Sequence, residues 1–454
     1  MKFALHIPFG IYFEIYIEYN ETVALNIINR VLFIVCIYGG MQMSYKTENT
    51  IDKRKKRIAD VIALKEPDRV PFCPSVGTVY TQLGGVSKYE GMMDFRNFKA
   101  GVEAFLTRYE VDLFWPPTTY PANVMEVLGT DFIKWPGATS GLGLDAGFQI
   151  TDKTFLEEDQ YDEFLRDPTA FLFNKVYSAR HKNLKGLEKA VINNVVEYGH
   201  FASLASFADP EVKEALHYLI RGGEEAAKWL KASGELNELA LSLEAPLGAV
   251  FGSTIAYDGF ADMLRGYINV PMDLYSIPEK VQAACEVMDV FAQNAIDGAA
   301  AMGLELFFIP LHGGTDELMN DEMYRKYYWP YLEKMILHLI DHDITPYVLT
   351  EGNYNTRLEV LSEIPKGKVI YMFEKVDIAR AKKVLGDTAC ICGNFPTADL
   401  IYSTPEKITE DTKRMLDVCA PGGGFIMNCS IVLDNCKPEL LDAWYEATLK
   451  YGVY

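Results

Sequence analysis

The chain has 454 residues, 49% of them hydrophobic and 23% charged, a profile that argues against a disordered or low-complexity protein. Its formal net charge of -20 repels phosphate backbones and anionic lipid heads, so nucleic acid and membrane partners are not expected. Eight cysteines are scattered along it, several inside apolar runs; they form no short disulfide framework and read as buried reduced thiols of a cytoplasmic protein.

Residues 1–40 are apolar and aromatic-rich but are broken by Glu14, Glu18, Glu21 and Arg30. They lack the clean apolar run of a signal peptide and the ~20 uninterrupted apolar residues of a membrane span. Codons for Gly39-Gly40 can supply a purine-rich ribosome-binding sequence, with Met41-Gln42 as spacer. Residues 1–42 are therefore read as a mis-assigned extension, and residues 43–454 as one domain starting at Met43. Residues 52–65 predict a helix with Ile58, Val61, Ile62 and Leu64 on its apolar face, ended by Pro67.

Short apolar runs then recur at 70–74, 111–115, 239–244, 304–310, 345–350, 368–373, 388–392 and 424–429, most followed by turn residues and an amphipathic stretch. Being apolar on both faces, they suit parallel strands buried on both sides. Eight strand–helix units predict a closed (β/α)8 barrel, with a doubly wound open sheet as the alternative. The long stretch between the second and third runs reads as an insertion. Within it, 124–151 suggests a hairpin, through Lys134-Trp135-Pro136-Gly137 and Gly141-Leu142-Gly143, and 161–186 and 209–233 suggest helices. No Walker loop or dinucleotide fingerprint occurs.

Polar residues follow these runs at the end where a barrel gathers its active site. Glu244 ends the third run and His312 follows the fourth; these are the candidate acid–base groups. Glu351 and Glu374 follow the fifth and sixth, Cys392 ends the seventh and Cys429 the eighth. Each has a structural alternative: a turn cap for Glu244, a loop position for His312 before Gly313-Gly314, backbone amides for Glu351, an ion pair with Lys375 for Glu374. Together, the two carboxylates Glu351 and Glu374 and the two thiols Cys429 and Cys392 would satisfy a four-coordinate zinc site. Trp115, Tyr120, Tyr257 and Phe260 fit an aromatic or small apolar substrate, or core packing.

A set of motifs resembles the uroporphyrinogen decarboxylase superfamily, more closely its corrinoid-dependent methyltransferase branch. They are Glu66-Pro67-Asp68-Arg69-Val70-Pro71, Tyr327-Tyr328-Trp329-Pro330-Tyr331, Gly393-Asn394-Phe395-Pro396 and Gly422-Gly423-Gly424-Phe425-Ile426-Met427-Asn428. The resemblance covers roughly residue 58 to the carboxyl terminus. The decarboxylase's arginine-bearing stretch after the first strand is replaced here by Pro74-Ser75-Val76-Gly77-Thr78, so decarboxylation of a porphyrinogen is not expected. The methyltransferases of the family place zinc on a His-x-Cys pair and a later Cys, to which related methionine synthases add a Glu. Cys429 and Glu374 match the last two, while Leu349 and Glu351 stand at the pair. The harder ligand set implies oxygen rather than thiol chemistry. The resemblance thus implies a zinc-dependent transfer of a methyl group from a small methoxylated substrate to the cobamide of a separate corrinoid protein. That partner would dock on the rim formed by loops 77–85 and 312–318. Transfer from a methylcobamide to a thiol, and a non-catalytic partner of a corrinoid protein, are the alternatives.

Overall fold

The computed structural model describes residues 2–6, 12–16, 50–137, 140–191, 198–248 and 250–454. The chain divides into two units, Met1–Thr50 and Ile51–Tyr454. In the first, strands β1 (Lys2–His6) and β2 (Tyr12–Tyr16) pair antiparallel, with Lys2 opposite Tyr16. Apart from this pair, the extension expected over residues 1–42 lies outside the described residues.

The second unit is built on a parallel sheet. The inserted hairpin comes first in sequence, as the antiparallel pair β3 (Ile133–Lys134) and β4 (Gln149–Ile150). The sheet follows in the order β5 (Leu306–Leu311), β6 (Thr345–Asn353), β7 (Ile370–Lys375), β8 (Cys390–Gly393) and β9 (Phe425–Ile426), every neighbour parallel. Parallel bridges extend it at both edges. Beyond β5, Gly252 pairs with Phe308, and Leu247 pairs with Phe114. Beyond β9, Met427 pairs with Phe72, whose carbonyl accepts from the Asp112 amide at 3.0 Å.

Side-chain alternation along these strands separates two cores. Leu113, Trp115, Leu306, Tyr347, Leu349, Ile370, Met372, Cys390, Cys392 and Ile426 join one cluster. Their neighbours Phe114, Phe307, Ile309, Val348, Tyr371, Phe373, Ile391 and Phe425 join the larger one, shared with the surrounding helices. Helix Thr50–Ile62 sends Ile58 and Val61 into the first cluster. The Glu66–Pro71 motif locks the entry to the apolar run at residues 70–74, where Phe72 bridges to Met427. Asp112, fully buried, accepts from Arg57, from Arg69 Nη1 at 2.7 Å and from the Phe72 amide at 2.8 Å, while Asp68 holds Arg57 Nε at 2.6 Å.

The third strand requires a correction. Residues 239–244 are not extended; helix Pro210–Ser242 runs through most of them. Ala232, Leu236 and Ala240 recur at four-residue spacing and are all buried, so the helical face continues past the point where Leu-Ala-Leu-Ser-Leu reads as a strand. The strand position falls to the next residues: Phe114 N donates to Pro246 O at 2.7 Å and Phe308 N to Phe251 O at 3.0 Å. All seven described cysteines are buried and free. Among the described residues, no helix is long and apolar enough to cross a membrane.

Candidate active site

The carboxyl end of β5 runs directly into His312, Gly313 and Gly314. Behind them lies helix Ala256–Phe260, continued by a π-helical turn over Ala261–Arg265. Asp258 and Asp262, four residues apart, face the His312 loop from this helix. Asp258 is fully buried; it accepts from the His312 amide at 3.0 Å, the Gly313 amide at 2.8 Å and the Tyr328 hydroxyl at 2.6 Å. Three donors compensate its burial. A side chain at Gly313 would meet the Tyr257 ring at 2.7 Å and Asp258 Oδ1 at 2.9 Å, so glycine is what lets the loop reach the carboxylate.

The imidazole of His312 is held from both sides. Nδ1 lies 2.8 Å from Asp262 Oδ2 and 2.8 Å from the Tyr267 hydroxyl, and Nε2 lies 3.6 Å from Glu351 Oε2. Burial alone pushes the imidazole pKa down. The bond to Asp262, the interaction with Glu351 and the charges of Asp258 and Asp262 outweigh it and raise the pKa to about 11. Burial raises the carboxyls of Asp258 and Asp262, against the His312 charge. The carboxylates therefore favour an imidazolium at neutral pH, and the His312 side chain is 28% exposed.

One further cation faces this cluster. Arg180 interacts electrostatically with Asp262 and Tyr120. Its guanidinium lies 4.2 Å from the Phe132 ring centroid and 5.3 Å from that of Phe155, and its buried Nε has no hydrogen-bond partner. Tyr120 packs edge-on against Phe148 at 4.8 Å.

The structure brings His312, expected as an acid–base group, against Glu351, expected as a zinc ligand, and adds Asp258, Asp262, Tyr267 and Arg180, which the strand-end reading did not single out. The available signal was the Asp258/Asp262 pair in the otherwise apolar run Ala256–Leu264. Glu244 stands elsewhere. It follows the long helix in a left-handed conformation (φ 61°), before the strand position rather than after it, and its carbonyl accepts from Arg54 Nη1 at 2.8 Å. Trp115, Tyr257 and Phe260 are buried in the two cores. Trp115 packs on Phe308 and Tyr347, Tyr257 on Tyr328, and Phe260 on Tyr161 and Phe164.

The residues expected to hold zinc do not meet. Glu374 Oε2 accepts from the Gly352 amide at 2.6 Å, across the irregularity at the end of β6. Cys392 lies among the strands, its Sγ 3.0 Å from the Tyr347 hydroxyl. Cys429 Sγ sits 3.6 Å from Ser75 O and 3.3 Å from Asn428 Oδ1. Burial pushes both thiols up to about 12. Among the described residues, the only group of three or more His, Cys, Asp or Glu side chains with mutually adjacent ligand atoms is Asp297, His338 and His342. As arranged, Glu351, Glu374, Cys392 and Cys429 do not fit a four-ligand zinc.

With this geometry in view, the relatives can be placed. The family model for uroporphyrinogen decarboxylase (URO-D) matches residues 191–451, more than half of the chain, and the chain belongs to that family. It is 23% identical over 248 residues to a uroporphyrinogen decarboxylase of Chlorobaculum parvum, covering 53% of this chain and 66% of the relative. It is 31% identical over 115 residues to the methylcobamide:CoM methyltransferase MtbA of Methanosarcina acetivorans, covering 24% of this chain and 33% of the relative. The chain thus spans less than two thirds of either relative. A solved methyltransferase from Methanosarcina mazei shares the fold, with a TM-score of 0.58 and 14% identity over 88% of this chain and 98% of that one. The family is the one the sequence motifs resemble, and the methyltransferase matches add a shared segment and a shared fold.

Proposed function

We propose that the parallel sheet and its flanking bridges form a closed (β/α)8 barrel, and that the chain is a methyltransferase acting at its carboxyl-end mouth. It would move the methyl group of a small methyl ether to the Co(I) cobamide of a separate corrinoid protein. The observation that carries this reading is the partly exposed His312 imidazole, held between Asp262 and Glu351 at the end of β5. Breaking the methyl–oxygen bond leaves its electron pair on oxygen, and His312 Nε2 supplies the proton that neutralises it. The methyl carbon bonds to cobalt through the electron pair of Co(I), which becomes Co(III). The surrounding carboxylates raise the His312 pKa, so the ring holds the proton that a phenolate-type leaving group takes up. Glu351 and Asp262 keep the proton on the ring until the oxygen develops charge. Tyr120 and Phe148 offer aromatic surface beside the cluster. Because the expected zinc ligands do not meet, no step is assigned to zinc. The unpaired thiols suit the reducing cytoplasm that Co(I) requires.

The test combines the purified chain, a reduced corrinoid protein from the same source and a methoxybenzene, followed by cobalamin absorbance. Methylation of the cobamide is expected only when all three are present. Substitution His312→Gln is expected to slow it by about 10²–10⁴-fold, the usual worth of a positioned acid. Demethylation without any cobamide, or full activity in His312→Gln, refutes the reading. Uroporphyrinogen and a methylcobamide with coenzyme M serve as the competing substrates.

A further inference from the structure

Two helices bring three metal-ligating side chains to one point away from His312. Asp297 lies near the end of helix Pro278–Ala301; His338 lies in helix Trp329–Asp341, and His342 caps that helix one turn later. The four-residue spacing puts both imidazoles on one face, with ring centroids 5.0 Å apart. His338 Nε2 is 3.2 Å from Asp297 Oδ1, His342 Nε2 is 3.7 Å from the same oxygen, and the two nitrogens are 3.2 Å apart. These helices lead into β5 and β6, so the cluster sits toward the amino-terminal ends of the strands, opposite the His312 end.

A second observation fixes the chemistry of His338. Its Nδ1 lies 2.5 Å from Gln293 Oε1. The amide orientation is set by Gln293 Nε2, which donates to Asp289 Oδ1 at 2.9 Å, while Lys334 holds the other Asp289 oxygen. An amide oxygen only accepts, so Nδ1 carries the proton. In the neutral ring Nε2 is then a bare lone pair aimed at the Asp297 carboxylate and the second imidazole. A lone pair 3.2 Å from a carboxylate oxygen is repulsive unless a proton on Nε2 or a bound cation lies between them. A histidine oriented through its far nitrogen by a hydrogen-bonded acceptor is how metal-binding imidazoles are commonly held.

We propose that Asp297, His338 and His342 bind a divalent transition cation. Two imidazoles and one carboxylate suit zinc, with a fourth position open to water. Bridging two helices at the amino-terminal end of the strands, the ion would clamp the fold rather than take part in methyl transfer.

The test strips the full chain with a chelator and titrates it with Zn²⁺ alone by calorimetry. About one equivalent is expected to bind at this site, with a rise in melting temperature. Substitutions His338→Ala, His342→Ala and Asp297→Asn should each weaken binding at least ~10-fold. Gln293→Leu, which removes no ligand, should weaken it by about 10–100-fold. The Co²⁺ form should lack a thiolate-to-metal absorption band, which separates this site from any cysteine-bearing centre, and methyl transfer should be unchanged in His338→Ala. All of these residues are at least partly exposed, and an unchanged metal-free melting temperature verifies that each variant is folded. Absence of Zn²⁺ binding, binding undiminished in His338→Ala and His342→Ala, or a thiolate band each overturns the proposal.

Discussion

Substituting Asp262→Asn removes the carboxylate that bonds His312 Nδ1 and leaves the ring, Glu351 and Asp258 in place. An opposite charge within ~4–6 Å favours the charged form by about 1–3 pKa units. His312 is therefore expected to fall from about 11 to roughly 8–10 in the variant. Glu351→Gln should act in the same direction. The double variant leaves burial, the largest single influence, opposed mainly by Asp258, and its imidazole should titrate at roughly 5–9. The sign for stability follows. The folded pKa lies above the unfolded one, so the stability gained by protonating His312 is fully present below about pH 6.5 and is lost as pH rises through about 11. Asp262→Asn pulls the upper edge of that window down. A pH titration of ¹⁵N-histidine-labelled protein by NMR reads the pKa directly. A wild-type His312 signal titrating near 6.5, or a signal that does not shift in Asp262→Asn, refutes the arrangement.

Asp112→Asn should destabilise the chain by about 3–5 kcal/mol in urea denaturation, because it strips the carboxylate charge from between Arg57 and Arg69, both largely buried. Stability unchanged in that variant would show that the pair is not held by Asp112. Gly313→Ala should cost about 1–3 kcal/mol and lower the melting temperature, since the added methyl group meets the Tyr257 ring and Asp258. An unaltered melting temperature would mean that the loop relaxes freely. Uroporphyrinogen decarboxylation should be undetectable by product chromatography, and measurable turnover would return the chain to the decarboxylase branch.

The strands were legible where their apolar runs were bounded by turns: 304–310, 345–350, 368–373 and 388–392 overlap β5 to β8, because both faces are buried and the runs are short. Leu239–Leu243 misled for a physical reason. A few apolar residues fit a buried strand and a helix end equally well, and the deciding signal, the Ala232, Leu236 and Ala240 stripe, lies upstream. Once that strand moved down the chain, Glu244 lost its place at a strand's carboxyl end. His312 and Glu351 were singled out because they directly follow β5 and lie in the last residues of β6. Asp258 and Asp262 were not, because they reach the same point from a helix, and strand-end reasoning does not look there. The thiols show the converse. Cys392 follows a strand core but points into the inter-strand cluster, a choice set by one residue of register.

The first strand's loop bears on which chemistry the mouth can host. Ser75 N donates to Asn428 Oδ1 at 2.8 Å, and Thr78 donates to Asp434 Oδ1 through its amide at 2.9 Å and its hydroxyl at 2.8 Å. A methyl group on Gly77 would lie 2.5 Å from the same Asp434 oxygen. The loop is thus tied down by neutral donors and a carboxylate, with no guanidinium among residues 74–78. Across the sheet, Asp258, Asp262 and Glu351 surround His312, with Arg180 as the nearby counter-charge. Recognition of a polycarboxylate depends on forked arginine contacts, and a carboxylate-lined wall works against it. The same wall favours an imidazolium at His312. On the proposed methyl-transfer reading, these electrostatics would favour a substrate that arrives uncharged, such as a neutral ether, and leaves with a proton taken from His312.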